Sequence, residues 1–112
     1  MYEYEYYTTK RGEQPARDWI EALPIGERGV IRQKMQKLSE EGLKLLKTNM
    51  LSTIEGYCAD FYELRGGKIR IGLYLDRSKN TFVLLHGWRK TRQRQARDID
   101  EAYRRLVDYL SN

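Results

Sequence analysis

The chain has one cysteine, Cys58, among its 112 residues. No intramolecular disulfide framework is possible, and a reducing, cytoplasmic setting is expected. It has one histidine, His86, and a lone imidazole with a lone thiol cannot make a standard zinc site. Glycine is not arranged to hold a nucleotide: Gly66-Gly67 lacks the spacing of either phosphate-binding fingerprint. No cofactor and no metal are therefore expected. No apolar run approaches the roughly 18 residues of a membrane span. Met1-Tyr2-Glu3-Tyr4-Glu5 has neither a basic start nor an apolar core, so no signal peptide is expected there. The last scarcity is local. Over residues 65–97 the only acid is Asp76, against ten cations, a local net of about +9 in a chain whose total is +5.

So much positive charge on a short stretch points to a polyanionic partner. The same stretch is rich in strand-formers. Residues 57–65, 68–75 and 81–86 read as three successive strands, the first two joined at Gly66-Gly67 and the last two by the polar segment 76–80. In the second strand Ile69, Ile71, Leu73 and Leu75 share one face. Arg70, Gly72 and Tyr74 share the other, which places Arg70 on an open face of the sheet. The third strand is nearly all apolar, as a central strand covered on both sides would be.

Before this stretch, residues 2–8 alternate as an outer strand, with Tyr2, Tyr4 and Tyr6 on one face. Pro15 opens a helix over residues 16–23, Pro24-Ile25-Gly26 breaks it, and a second helix runs over residues 27–41 with Gly42 as its C-terminal cap. These two form a helical hairpin packed on the sheet. Residues 43–56 show no clean period and read as a packed connector. A final helix over residues 96–110 carries Ile99, Ala102, Tyr103, Leu106 and Leu110 on one stripe. The pattern predicts one α+β domain over residues 1–112, with a mainly antiparallel sheet, an N-terminal helical hairpin and a C-terminal helix.

The chemistry left to such a chain is cationic. Cleavage of an RNA phosphodiester by its own 2′-hydroxyl needs a base, cations around the phosphoryl oxygens, and an acid at the leaving 5′-oxygen. Arg65 and Arg70 can clamp a phosphate, since guanidinium forks match its oxygens two at a time. Lys90 stands among Arg89, Arg92 and Arg94, and that like charge favours its giving up a proton. Tyr62, Tyr74 and Trp88 are candidates for stacking on bases. His86, at the end of an apolar strand, is expected to be structural rather than catalytic, and Cys58 a small buried thiol rather than a nucleophile.

The words YELRGGKIRIGLYLD at residues 62–76 and FVLLHGWRKT at residues 82–91, followed by DIDEAYRRLVDY at residues 98–109, resemble the HigB-like, phage-associated branch of the RelE/ParE toxin superfamily. The resemblance implies a RelE-like fold and the toxin of a type II toxin–antitoxin pair. It further implies a metal-independent endoribonuclease, an mRNA interferase that associates with the ribosome and inhibits translation. It implies a cognate antitoxin, commonly of helix-turn-helix type, as partner. Carried over by motif, the catalytic positions are Arg65, Arg70 and Lys90, with Arg89, Arg92, Arg94, Tyr74 and Trp88 as RNA-binding residues. The alternatives are a gyrase-inhibiting toxin of the same fold and a nucleic-acid-binding module without chemistry, because fold alone does not fix activity.

Overall fold

Alternating apolar side chains over residues 61–89 build the centre of the molecule, where β3 (Phe61–Gly66), β4 (Ile69–Asp76) and β5 (Thr81–Arg89) form an antiparallel meander. The computed structural model describes residues 1–92 and 95–112. β1 (Glu3–Tyr6) adds to β5 in parallel and β2 (Leu51–Thr53) adds to β3 antiparallel, so the sheet order is β1-β5-β4-β3-β2. β1 is thus the edge strand that the tyrosine alternation predicts. β2 lies inside the segment read as a connector, and at three residues it is too short to show a period.

Two helices cover one face. α1 (Pro15–Glu21) and α2 (Ile25–Glu41) bury Ala16, Ile20, Ile31, Met35 and Leu38 against Leu64, Ile69, Ile71, Leu73 and Phe82. α2 ends at Gly42, whose φ of 56° suits glycine and whose N–H reaches the Leu38 carbonyl. A short 3₁₀ helix, Gly42–Lys47, then leads to β2. α3 (Ala96–Leu110) covers the opposite face, packing Ala102 and Leu106 on Phe61, Val83 and Leu85. Its stripe is the expected one, except that Leu110 is exposed. The α+β class, with an N-terminal helical hairpin and a C-terminal helix, is the one the pattern predicts; the pattern leaves the face opposite the hairpin open, and α3 packs on it.

Two close approaches fix how these layers meet. A Cβ at Gly72 would lie 2.9 Å from Ala102 Cβ, so α3 crosses β4 where β4 has no side chain. A Cβ at Gly87 would lie 2.3 Å from the Trp19 ring, so α1 rests on β5 in the same way. Just beyond Gly72 the β4–β5 register shifts by one residue, between Gly72 and Leu73. Before the shift Val83 and Leu85 belong to the α3 side; after it, His86 and Trp88 do, while Gly87 and Arg89 turn toward the hairpin. Such a bulge is how one extra residue re-aims the side chains of a strand.

The β4–β5 turn is anchored at the far end of the sheet. Arg77 donates through Nε and Nη2 to Asp60, at 2.8 Å each, and Lys79 pairs with Glu5 at 2.7 Å. The Arg77 fork holds the Asp60 carboxyl below the usual carboxylate range, and the Glu5 carboxylate holds the Lys79 ammonium above its own.

Gly72→Ala is expected to destabilise the fold by about 1–3 kcal/mol through overpacking. Ala102→Gly alone is expected to cost about 1 kcal/mol as a helix-interior glycine. The double variant should lose less than the sum of the two in denaturant titrations, and strict additivity would show that the helix does not bear on this glycine. For Asp60 the depressed carboxyl contributes stability above the unfolded value and loses it as pH falls through the folded one. Asp60→Asn should therefore melt lower than the parent at neutral pH. That gap should start to close as pH falls below about 4, the unfolded carboxyl's range, and go on closing at lower pH in thermal melts.

Candidate functional site

At the other end of the sheet, the β3–β4 turn sets the geometry. Gly67 takes the left-handed conformation of the turn, with φ of 60°. Gly66 remains in β3, close against α2: a Cβ there would meet Ile31 Cδ1 at 3.1 Å and Lys34 Cγ at 3.3 Å. The backbone of Lys90 continues the ladder past the end of β5, donating to the Lys68 carbonyl at 2.7 Å. These contacts bring α2, the turn, and the chain after β5 to one place.

There Arg65, Arg70 and Lys90 line a single cleft of about 560 Å³, together with Lys34, Thr48 and Asn49. The three positions carried over by motif therefore lie together. Lys34 was not among the expected residues, because a lysine on an amphipathic helix reads as a solvated side chain. Its signal is its place three residues after the buried Ile31, at the margin of the buried stripe.

Arg65 and Arg70 face each other across the β3–β4 register. Arg65 donates from Nε to Glu63 Oε2 at 2.8 Å and from Nη2 to Ser52 Oγ at 3.0 Å. Arg70 donates from Nη1 to the carbonyls of Gly67 and Ile69, at 2.6 and 3.0 Å. Its Nε lies 3.6 Å from Glu63 Oε2, and that buried atom has no hydrogen-bond partner among the described residues. The expectation that Arg70 stands on an open face is corrected: it is 7% exposed. Alternation gives the side of the sheet a residue occupies, but not what the side chain meets there: Arg70 folds back onto the carbonyls of Gly67 and Ile69, beside Glu63. Burial pushes the Arg70 guanidinium below its usual range.

The stacking candidates divide differently. Trp88 is 4% exposed and donates from Nε1 to Gln95 Oε1 at 2.7 Å, so the expectation of a ring presented to a base is corrected. Tyr74 is half-buried in the apolar cluster under α3, with its ring 6.3 Å from that of Tyr109. Tyr62 is buried, on the hairpin side, and donates to Asp60. Cys58 is half-buried, and burial pushes its thiol up. Arg89 is exposed and paired with Glu27, at the start of α2. With Lys68, Lys90 and Arg92 it lines a second groove of about 580 Å³ that meets the cleft at Lys90. Arg94 lies outside the described residues.

His86 is built into the fold. Arg105 donates from Nη1 to the Leu85 carbonyl at 2.8 Å and to His86 Nδ1 at 3.1 Å. A guanidinium only donates, so Nδ1 accepts and the ring proton sits on Nε2, facing Asp98 Oδ1 at 3.0 Å. This ties β5 to the first turn of α3, away from the cleft's lining. Among the described residues no group of three His, Cys, Asp or Glu side chains is placed to hold a metal ion, and no helix is long and apolar enough to cross a membrane.

The architecture is shared with known structures. The toxin–antitoxin complex RelBE2 from Mycobacterium tuberculosis contains a chain that superposes with a TM-score of 0.60 at 19% identity, over 80% of this chain and 98% of that one. The archaeal RelE–RelB complex from Pyrococcus horikoshii OT3 contains another, at 0.61 and 17%, over 82% and 98%. At such identities the likeness is one of fold, and the fold is RelE-like. No curated protein sequence matches the chain. Residues 18–107 match the family described as phage-derived protein Gp49-like (DUF891). The match spans most of the chain, which belongs to the phage-derived Gp49-like family.

Proposed function

We propose that this protein is the toxin of a type II toxin–antitoxin pair, an endoribonuclease that cuts mRNA at the ribosome and so inhibits translation. One observation carries the reading: Arg65, Arg70, Lys90 and Lys34 converge on one cleft with no acid among its lining residues, in a RelE-like fold. The words that resemble the HigB-like branch contain three of these four cations. Both solved relatives were captured as complexes with a partner chain, which supports a cognate antitoxin here, of the helix-turn-helix type that the resemblance implies.

The cleft suits a reaction run by cations. The 2′-oxygen of the RNA attacks the adjacent phosphorus, the bond to the 5′-oxygen breaks, and negative charge grows on the two non-bridging oxygens in between. Arg65, partly exposed and held at the cleft by Glu63 and Ser52, neutralises that charge. Arg70, held by two backbone carbonyls, supplies fixed positive charge behind it. Lys90, exposed at the mouth, is placed to exchange a proton with one of the two oxygens, the 2′-oxygen that enters or the 5′-oxygen that leaves. Solvent water exchanges the other proton. Lys34 reaches the same cleft from α2 and holds a neighbouring phosphate. No metal takes part in this scheme.

Expression without an antitoxin is expected to arrest growth and to create new 5′ ends within coding regions. Lys90→Ala, at an exposed position that leaves the fold intact, should lower the cleavage rate by about 100-fold or more, as should Arg70→Ala. Arg77→Ala, at the far end of the sheet, should cleave as the parent does. Growth arrest without new RNA ends, accompanied by DNA damage, would instead favour the gyrase-directed alternative. Lys34→Ala should weaken binding of single-stranded RNA and reduce the slope of log affinity against log salt by about 0.7. An unchanged slope would remove Lys34 from the site.

A further inference from the structure

Glu63 is not part of the scheme above, yet it is 5% exposed and its carboxylate serves both arginines of the cleft. The sharing is unequal. Glu63 Oε2 accepts from Arg65 Nε at 2.8 Å and stands 3.6 Å from Arg70 Nε, beyond hydrogen-bond range. Arg70 cannot turn to close the gap, because its Nη1 is committed to the carbonyls of Gly67 and Ile69. Its Nε is left buried without an acceptor. Such an orphaned donor on a charged group is rare in a folded protein and calls for a partner that arrives later. Arg65 differs: its side chain is 38% exposed, so it is the arginine that an incoming anion meets first.

We propose that Glu63 is a displaceable counter-ion, which holds Arg65 in the free protein and passes to Arg70 Nε when a phosphate of single-stranded RNA takes its place on Arg65. The exchange leaves every charge paired. Phosphate replaces carboxylate on the Arg65 fork, and the released Oε2 moves less than 1 Å, on the order of a single side-chain torsion, to satisfy the orphaned donor. Glu63 is then a positioning residue. It stops the two like charges from splaying apart when the cleft is empty, and it locks Arg70 once the cleft is filled. The proposal rests on the reading that this cleft receives an RNA phosphate.

The test uses the whole chain and a 2′-O-methyl oligoribonucleotide, which has no free 2′-hydroxyl and cannot be cut by that route. Arginine Nε–Hε resonances are followed as the probe is added. The expected result is that the Arg65 signal loses its carboxylate signature while the Arg70 signal moves downfield and exchanges more slowly with solvent. A response at Arg65 with no change at Arg70 overturns the handover and leaves the cleavage reading standing. Absence of any binding overturns both. Glu63→Gln removes the competing charge in nearly the same shape. It should bind the probe about 3–10-fold more tightly, with the salt slope steeper by about 0.7. Binding by a folded Glu63→Gln that equals or falls below the parent's overturns the proposal. If that variant does not fold, the resonances of the parent decide alone.

Discussion

Between Gly72 and Leu73 the pairing of β4 with β5 slips by one residue, and Leu85 is left without an opposite number. Everything that makes this end of the molecule distinctive follows from that slip. Without it, His86 and Trp88 would continue the row of Phe82 and Leu84 toward the helical hairpin. With it, they turn to α3, where His86 meets Asp98 and Trp88 meets Gln95. Arg89 is sent to the hairpin and its partner Glu27. Lys90, next in the alternation, comes to the side of the sheet that already carries Arg65 and Arg70.

Much of this fold was open to a reader of the chain. The alternation of Ile69, Ile71, Leu73 and Leu75, the stripe of α3 and the break at Pro24 locate most elements, because burial of one face imposes a period. What stayed hidden has physical reasons. β2 carries three residues and no period. The bulge sits in the run Val83-Leu84-Leu85-His86, where both faces are apolar and a slip of one residue leaves no mark in the pattern. Alternation puts Arg70 on the correct side of β4, but its burial comes with its return to the carbonyls of Gly67 and Ile69 beside Glu63, which a strand period does not show. Trp88 was taken for a surface ring because its neighbours are charged. Its ring is nonetheless buried, since strand geometry sends neighbouring residues to opposite faces. Arg65, Arg70 and Lys90 were named from words in the sequence, and the words gave no hint of Lys34, which comes from a helix 31 residues earlier than Arg65.

The positive charge that dominates residues 65–97 is not one patch. Arg77 and Lys79 are answered by Asp60 and Glu5 at one end of the sheet, and Arg89 by Glu27 near the other. The excess that remains is concentrated around the cleft and the groove beside it, where Lys34, Lys68, Lys90 and Arg92 join the two arginines that share Glu63. A polyanion approaching such a surface is drawn to one end of the sheet rather than to the whole of it.

The parallel pairing of β1 with β5 has a consequence in time. Glu3 to Tyr6 are made long before their neighbours in the sheet, Thr81 to Leu84. The sheet therefore cannot close from the front; β1 waits as an unpaired strand while the meander forms, and its joining is a long-range event of the kind that sets the pace of folding. The cleft obeys the same schedule. Lys34 is made first, Arg65 and Arg70 later, and Lys90 after them, so the cleft cannot assemble before Lys90 has been synthesised. For a protein that acts as proposed here, the order of its strands sets the earliest point at which a growing chain can carry the complete cleft.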